Sequence, residues 1–174
     1  MILIAIGANL PGEDKAGPLT TCEAAVEAVC AIAGLSLERR SPWYRSKAIP
    51  VSDQPDYCNG VIRMSGEIEP LALLSALQEI EMRFGRQRSV PNAARTLDLD
   101  IIDISGLVRG EPALILPHPR AHERAFVLRP LQDVAPDWHH PLLHLSIGAL
   151  LAALPPQAIE PWHVQPVAGR DRVA

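Results

Sequence analysis

The pattern of apolar and polar residues along the first 104 residues predicts alternating strands and helices. Continuous or alternating apolar positions predict strands over residues 2–6, 35–46, 57–69 and 97–104. Apolar residues at helical spacing predict helices over residues 18–33 and 70–84, each beginning at a proline and followed by a glycine. The resulting order, βαββαβ, predicts an α+β fold: a ferredoxin-like sandwich whose sheet is mainly antiparallel.

The rest of the sequence predicts a smaller C-terminal extension made of a hairpin and helix. Gly106 and Gly110 flank the predicted hairpin, and a short helix is predicted over residues 126–134. Residues 142–174 hold one weak helical pattern and several prolines. We therefore treat them as the tail of a single domain that spans residues 1–174.

The composition is that of an ordinary globular domain, and it excludes several classes of protein. With 48% hydrophobic and 21% charged residues in 174 positions, the chain can bury a core without disulfides. A net charge of −4 provides no basic surface, so we expect neither nucleic acid nor a membrane as a partner. The three cysteines form no disulfide framework and no apolar run is long enough to span a bilayer, so we expect a cytoplasmic protein. We take a monomer as the working state.

The triplet Asp98-Leu99-Asp100 lies in the predicted strand over residues 97–104. Because side chains alternate along a strand, both carboxylates are expected on one face, whereas Asp103 has the opposite parity. Two hard oxygen ligands with open coordination positions suit Mg²⁺, which completes its shell with water and substrate phosphates. The alternative is an exposed acidic face with no ligand.

A group of arginines precedes the acidic pair. Arg86, Arg88 and Arg95 lie in a polar segment directly before it, and an arginine fork binds phosphate through two hydrogen bonds. Alone, such a group is more often a solvated loop, and the preference for arginine over lysine could reflect genome composition. Together with the acidic pair it indicates phosphoryl-transfer chemistry. The sequence has no P-loop and no protein-kinase motif.

Two further pairs of polar residues have less distinctive spacing. Gln78 and Glu81 lie three residues apart beside the apolar face of the second predicted helix. They could hold a ligand, or they could be a boundary pair satisfied by neighbouring groups. His118 and His122 have the spacing of zinc ligands on a helix, but Pro119 disfavours a continuous helix there, so no structural zinc site is expected.

Aromatic residues lie beside polar ones at two places in the chain. Tyr57 is close to Asn59, and Phe126 follows Arg124. A flat heterocycle can bind between two aromatic rings while an asparagine amide recognises its hydrogen-bonding edge. Ordinary core packing is the alternative for each ring.

Six sequence segments occur in a fixed order: residues 4–10 (IAIGANL), 53–59 (DQPDYCN), 85–88 (GRQR), 95–101 (RTLDLDI), 117–119 (PHP) and 124–131 (RAFVLRPL). The set closely resembles the 6-hydroxymethyl-7,8-dihydropterin pyrophosphokinase family of folate biosynthesis. The resemblance extends from about residue 2 to about residue 141, and the segment at 95–100 is highly specific to the family.

The resemblance implies transfer of pyrophosphate from ATP to the hydroxymethyl group of the pterin, with release of AMP. It implies that Asp98 and Asp100 hold two Mg²⁺ ions, and that Arg86 and Arg95 act with them in catalysis. Seven positions match the family's ATP site: Gln78, Glu81, Arg86, Arg88, Arg95, His118 and Arg124. Five match its pterin site: Ser46, Ile49, Tyr57, Asn59 and Phe126.

The chain departs from the family pattern at several positions. Residues 89–94 lack the usual aromatic residue and are one residue shorter, and Lys47 stands where proline is common. Ala8 replaces a usual serine. We expect the reaction to be retained with altered loop dynamics and either weaker substrate affinity or a modified pterin.

Two other functions are alternatives to pyrophosphokinase activity. A ferredoxin-like sheet can bind RNA, but the chain is net acidic and no predicted strand has the closely spaced aromatics that stack bases. A non-catalytic relative that binds ATP and pterin without turnover is the stronger alternative.

Overall fold

The computed structural model describes residues 1–11, 15–86 and 95–163. The strands are β1 (Ile2–Ala8), β2 (Leu35–Arg40), β3 (Tyr44–Ser46), β4 (Tyr57–Gly66), β5 (Asp98–Ile104), β6 (Arg109–Glu111), β7 (Leu114–Leu116) and β8 (Ile159–Pro161). The helices are α1 (Pro18–Cys30), α2 (Pro70–Arg83), α3 (Ala125–Val134) and α4 (Ile147–Ala153), with a 3-10 turn at Ala121–Glu123. None of the described helices is long and apolar enough to cross a membrane.

All described strands except β6 and β7 form one sheet in the order β5-β1-β4-β3-β8, with β2 also paired to β4. Every pairing in it is antiparallel. The order β5-β1-β4-β2/β3 is that of a ferredoxin-like sheet, so the predicted fold class is confirmed. The first strand of the chain therefore lies inside the sheet, between β4 and β5.

The sheet separates two hydrophobic cores, because apolar side chains alternate between its faces. On β1, Ile2, Ile4 and Ile6 pack with α1 and α2, whereas Leu3 packs with residues of α3 and α4. The two helices of the βαββαβ unit thus cover one face, and the C-terminal extension covers part of the other.

The single strand predicted over residues 35–46 is two strands, β2 and β3. The break falls at Ser41 and Pro42, where proline lacks the N–H that a continuous ladder requires. The Ser41 hydroxyl accepts a hydrogen bond from the Val61 N–H at 3.0 Å, so β4 keeps a partner across the break.

The predicted position of the C-terminal hairpin was wrong by a few residues. Gly106 has a φ of +75° and forms the turn that ends β5. The hairpin is β6 and β7, so Gly110 lies within a strand, paired with Ile115, rather than beside the hairpin.

Candidate active site

A cavity of about 430 Å³ lies between the sheet and the start of α3. It is lined by residues of β1, β3, β4, β5 and α3 and by the segments before β5 and α3. Most of the residues that the sequence indicated line this one cavity: Ser46, Ile49, Tyr57, Asn59, Arg86, Arg95, Asp98, Asp100, His118, Arg124 and Phe126.

The floor of the cavity is set by the register of β1 with its two neighbours. Gly7 is paired with Asn59 on one side and with Asp98 on the other, so these three residues form one row across the sheet. In the next row Ala5 lies between Val61 and Asp100. Because Gly7 and Ala5 are small, the polar side chains of Asn59, Asp98 and Asp100 beside them border open space.

Two arginines neutralise Asp98. Its Oδ1 atom lies 2.5 Å from Arg95 Nη1 and 2.9 Å from Arg86 Nη1. Arg86 is also ion-paired with Glu81, a buried residue of α2 that accepts a hydrogen bond from the Leu99 N–H at 2.8 Å. Burial raises the pKa of Glu81, and the Leu99 N–H and Arg86 oppose that shift. Arg86 lines the cavity, whereas Glu81 contacts Arg86 but does not itself line the cavity.

Asp100 has a more repulsive environment than Asp98. Burial and then the charge of Asp98 raise its pKa to about 7, although Arg124 and Arg95 oppose the shift. A carboxylate that is hard to ionise beside a second carboxylate favours binding of a cation. Among the described residues no cluster of three or more metal-ligating side chains occurs. The carboxylates of Asp98 and Asp100 fit a hard divalent cation that takes its remaining ligands from phosphate and water.

His118 lies between the segment before α3 and the acidic end of the cavity, which is formed by Asp98 and Asp100. Its Nε2 atom lies 3.7 Å from Asp100 Oδ2, and its Nδ1 atom accepts a hydrogen bond from the Arg120 N–H at 3.1 Å. Burial and the positive charge of Arg124 lower its pKa to about 4. Near neutral pH the ring is uncharged, and because Nδ1 accepts, the proton is on Nε2, on the Asp100 side.

The opposite end of the cavity combines aromatic rings with a buried amide. Asn59 Nδ2 donates to Ser46 Oγ at 2.9 Å, and both residues are buried. The Tyr57 hydroxyl donates to Gln54 Oε1 at 3.3 Å. Phe126 lies on the far wall, with the Arg124 guanidinium 5.5 Å from its ring centroid.

Three other sequence candidates, Gln78, Asp103 and His122, do not line the cavity. Gln78 is half-buried on α2. Asp103 is buried and accepts hydrogen bonds from the Gly106 N–H and from Trp138 Nε1. His122 packs edge-on against His140, with ring centroids 5.2 Å apart. Arg88 and the segment 89–94 lie outside the described residues.

Comparisons with known proteins identify the family of this chain. The model of the 7,8-dihydro-6-hydroxymethylpterin-pyrophosphokinase family matches residues 3–136. The chain belongs to this family. The resemblance and the activity it implies, a pyrophosphokinase of folate biosynthesis, are thereby confirmed, and the non-catalytic alternative is not favoured.

The chain is similar to 2-amino-4-hydroxy-6-hydroxymethyldihydropteridine pyrophosphokinases along most of its length. It is 40% identical to that of Pseudomonas aeruginosa, covering 91% of this chain and 94% of the relative. It is 36% identical to that of Synechocystis sp., covering 94% of this chain and 80% of the relative. A Plasmodium falciparum HPPK-DHPS triple mutant crystallised with SDX-DHP has the same fold, with a TM-score of 0.63 at 13% identity. That match covers 87% of this chain and 43% of the Plasmodium chain.

Other contacts in this pyrophosphokinase fold were missed from the sequence. Arg120 lines the cavity, and Asn9 joins its two ends through hydrogen bonds to Gln54 and Arg95. Gly7 and Asn9 belong to a segment quoted for the resemblance, but their roles depend on the register between strands. No local pattern signals Arg120.

Proposed function

We propose that the acidic end of the cavity holds the ATP triphosphate and that the aromatic end holds the pterin. The observation that carries this division is the row Asn59–Gly7–Asp98. In this row a glycine lies between a buried amide that could bind a heterocycle and a carboxylate that could bind the metal ion of a metal–phosphate complex. A hydroxymethyl group extending from a pterin beside Asn59 would therefore reach toward the phosphates.

Asp98 and Asp100 are the residues that would hold two Mg²⁺ ions. When bound, these ions would neutralise the triphosphate and lower the pKa of the attacking hydroxyl. The chain holds the two carboxylates on one strand, on either side of the buried Leu99, so their spacing is fixed before ligands bind.

Arg86 and Arg95 contact Asp98, and both would turn to phosphate oxygens when ATP binds. A planar guanidinium can bind two such oxygens and stabilise negative charge that develops during in-line attack on the β-phosphorus. Glu81 keeps Arg86 at the site, and Arg124 and His118 supply further donors near Asp100. Gln78 and Arg88 stay predictions for the ATP site.

The pterin would bind between Tyr57 and Phe126. Asn59 Oδ1 accepts no hydrogen bond from the described residues, so it can accept one from a ring N–H of the pterin, while Ser46 fixes the amide. Ile49 would cover an edge of the ring from its loop. Asp100 would accept the proton of the attacking hydroxyl, directly or through water.

The direct test is to measure AMP after incubating the protein with ATP, Mg²⁺ and 6-hydroxymethyl-7,8-dihydropterin. We expect AMP that depends on the pterin, and a loss of about 100-fold or more in kcat for Asp98→Asn and Asp100→Asn. Asp137→Asn, at an exposed turn after α3, is the matched control and should leave kcat unchanged.

Binding of both substrates without AMP would support the non-catalytic alternative. Near-normal turnover of Asp100→Asn at saturating Mg²⁺ would show that both roles given to Asp100 are wrong. The monomeric state and the cytoplasmic location stay predictions.

A further inference from the structure

A segment near the C-terminus, residues 157–162, contacts two walls of the cavity although it lies beyond the residues 3–136 that define the family match. Its strand β8 pairs with β3, and Ser46 is opposite Ile159. Just after β8 the Trp162 N–H donates to the Trp43 carbonyl at 2.7 Å. The segment thus covers the outer edge of the strand that carries Ser46.

The same segment also contacts the start of α3, at a helix end that lacks its own cap. Arg124 is the N-cap residue, with φ −123° and ψ 110°, and its side chain makes no capping hydrogen bond. A guanidinium has only donors, so it cannot accept from the free N–H groups of the first turn. The N-cap position favours Ser, Thr, Asp or Asn, so an arginine there indicates a role other than capping the helix.

Gln157 supplies the missing cap from 32 residues away. Its Oε1 atom accepts from the Ala125 N–H at 2.8 Å, and its Nε2 atom donates to the Glu123 carbonyl at 2.9 Å. These two groups belong to the two peptide units that Arg124 shares with its neighbours. One amide side chain therefore fixes the backbone on both sides of Arg124, and Phe126 follows two residues later.

We infer that Gln157 is a positioning residue for Arg124 and Phe126, and that residues 157–162 belong to the frame of the active site. The inference rests on the proposed function, because it uses Arg124 as an ATP contact and Phe126 as a pterin contact. It assigns a role in substrate binding to a part of the chain outside the family match.

The test uses two substitutions of Gln157 in the full-length protein. Gln157→Met keeps the length of the side chain and removes both hydrogen bonds, and Gln157→Glu keeps the acceptor for the Ala125 N–H. Gln132→Met is the matched control, since Gln132 lies in the second half of α3 and makes no side-chain hydrogen bond to any described residue. KM for ATP, KM for the pterin and kcat are measured well below the melting temperature.

We expect Gln157→Met to raise both KM values about fivefold or more, as the loss of hydrogen bonds of ordinary strength would. Gln157→Glu keeps only the bond to the Ala125 N–H, so its KM values should lie between those of the wild type and those of Gln157→Met, and Gln132→Met should leave both KM values unchanged. A merely structural role would lower the melting temperature and the active fraction but would leave KM of the folded enzyme as in the wild type. That result would overturn the inference, as would a Gln157→Glu variant as impaired as Gln157→Met.

A second measurement does not depend on turnover. Hydrogen exchange of the Ala125 amide in the ligand-free protein should accelerate in Gln157→Met and stay slow in Gln157→Glu and Gln132→Met. If wild-type protein forms no AMP, the proposed function fails while this measurement still tests the cap. An unchanged exchange rate of the Ala125 amide in Gln157→Met would contradict the inference. If Gln157→Met does not fold, the inference is contradicted when Gln157→Glu has faster exchange of this amide but wild-type KM values.

Discussion

Asn9 is the residue whose contacts join the proposed phosphate end of the cavity to the proposed pterin end. Its side chain is buried, with 1% exposed, directly after β1. Its Oδ1 atom accepts from the Arg95 N–H at 2.9 Å, while Nδ2 donates to Gln54 Oε1 and to the Pro55 carbonyl, both at 3.2 Å. Gln54 in turn accepts from Tyr57. One side chain thus holds the backbone of Arg95, a proposed phosphate contact, and the loop before Tyr57, a proposed pterin contact.

These contacts predict different effects for Asn9→Ala and Gln54→Ala. Asn9→Ala removes the contacts on both sides and should raise KM for both substrates, whereas Gln54→Ala should raise KM for the pterin alone. The double variant should have the pterin KM of the worse single variant, because both substitutions break the same connection. Steady-state kinetics of the three variants make the measurement.

Ser52→Ala is the control for this cycle, since Ser52 is exposed in the same loop. Additive effects on the pterin KM, or an equal rise in the ATP KM in Gln54→Ala, would show that Asn9 and Gln54 act independently.

At the scale of the element, β1 determines the shape of the cavity through the residues it lacks. A Cβ atom added at Gly7 would lie 3.3 Å from Asn59 Oδ1, which is tight for a contact with a side chain already fixed by Ser46. The glycine is therefore needed for the space it leaves beside Asn59, since the φ of Gly7 is not in the left-handed region.

Gly7→Ala is expected to raise KM for the pterin by about 3- to 30-fold. The added methyl group displaces Asn59, which costs about one to two hydrogen bonds between Asn59 and the pterin. KM for ATP and the melting temperature should change little. Gly110→Ala is the control, since an added Cβ there meets no heavy atom within 4 Å. Kinetics in which ATP binding is affected more than pterin binding would refute this assignment.

The sequence predicted the elements better than the contacts between them. Alternation correctly placed Asp98 and Asp100 on one face, but the same rule fails further along β5. The pairing with β1 shifts between Leu3 and Ile4, so Leu3 faces Asp103 while Ile4 faces Ile101. This bulge turns Asp103 toward Trp138. The alternation of side chains along one strand does not indicate where its pairing with a distant strand leaves an extra, bulged residue.

The candidate site could be predicted where its signal is local and not where it is long-range. Asp98 and Asp100, and the arginines before them, are close in sequence, so their chemistry could be inferred directly. The contacts of Gln157 with residues 123–125 connect segments with no common local pattern. Such contacts follow from the packing of the tail against α3, which periodicity does not predict.

At the scale of the whole molecule, the net charge of −4 conceals a strong local separation of charge. Arg86 and Arg95 pair with Asp98, and the pKa of the neighbouring Asp100 is raised to about 7. The folded state is therefore most complementary to a ligand that brings both phosphate and a divalent cation.

A non-hydrolysable ATP analogue should consequently stabilise the fold only together with Mg²⁺. At 100 times its dissociation constant a ligand adds about 2.7 kcal/mol to the free energy of unfolding. For a domain of this size that corresponds to a rise of roughly 5–10 °C in the melting temperature. Differential scanning fluorimetry with Mg²⁺, with EDTA, and with Asp98→Asn makes the comparison. An equal rise in EDTA would show that the arginines alone bind the nucleotide.

The position of β1 within the sheet also affects the order in which the protein can assemble during synthesis. β1 is made first, yet its partners β4 and β5 are completed only at residues 66 and 104. Before residue 66 is made, the apolar strand Ile2–Ala8 has no native neighbour on either edge, and one edge stays unpaired until residue 104. An unpaired apolar strand favours aggregation or chaperone binding. The nascent chain therefore depends on late, long-range pairing, and the rows of residues that border the cavity are complete only once β5 has paired with β1.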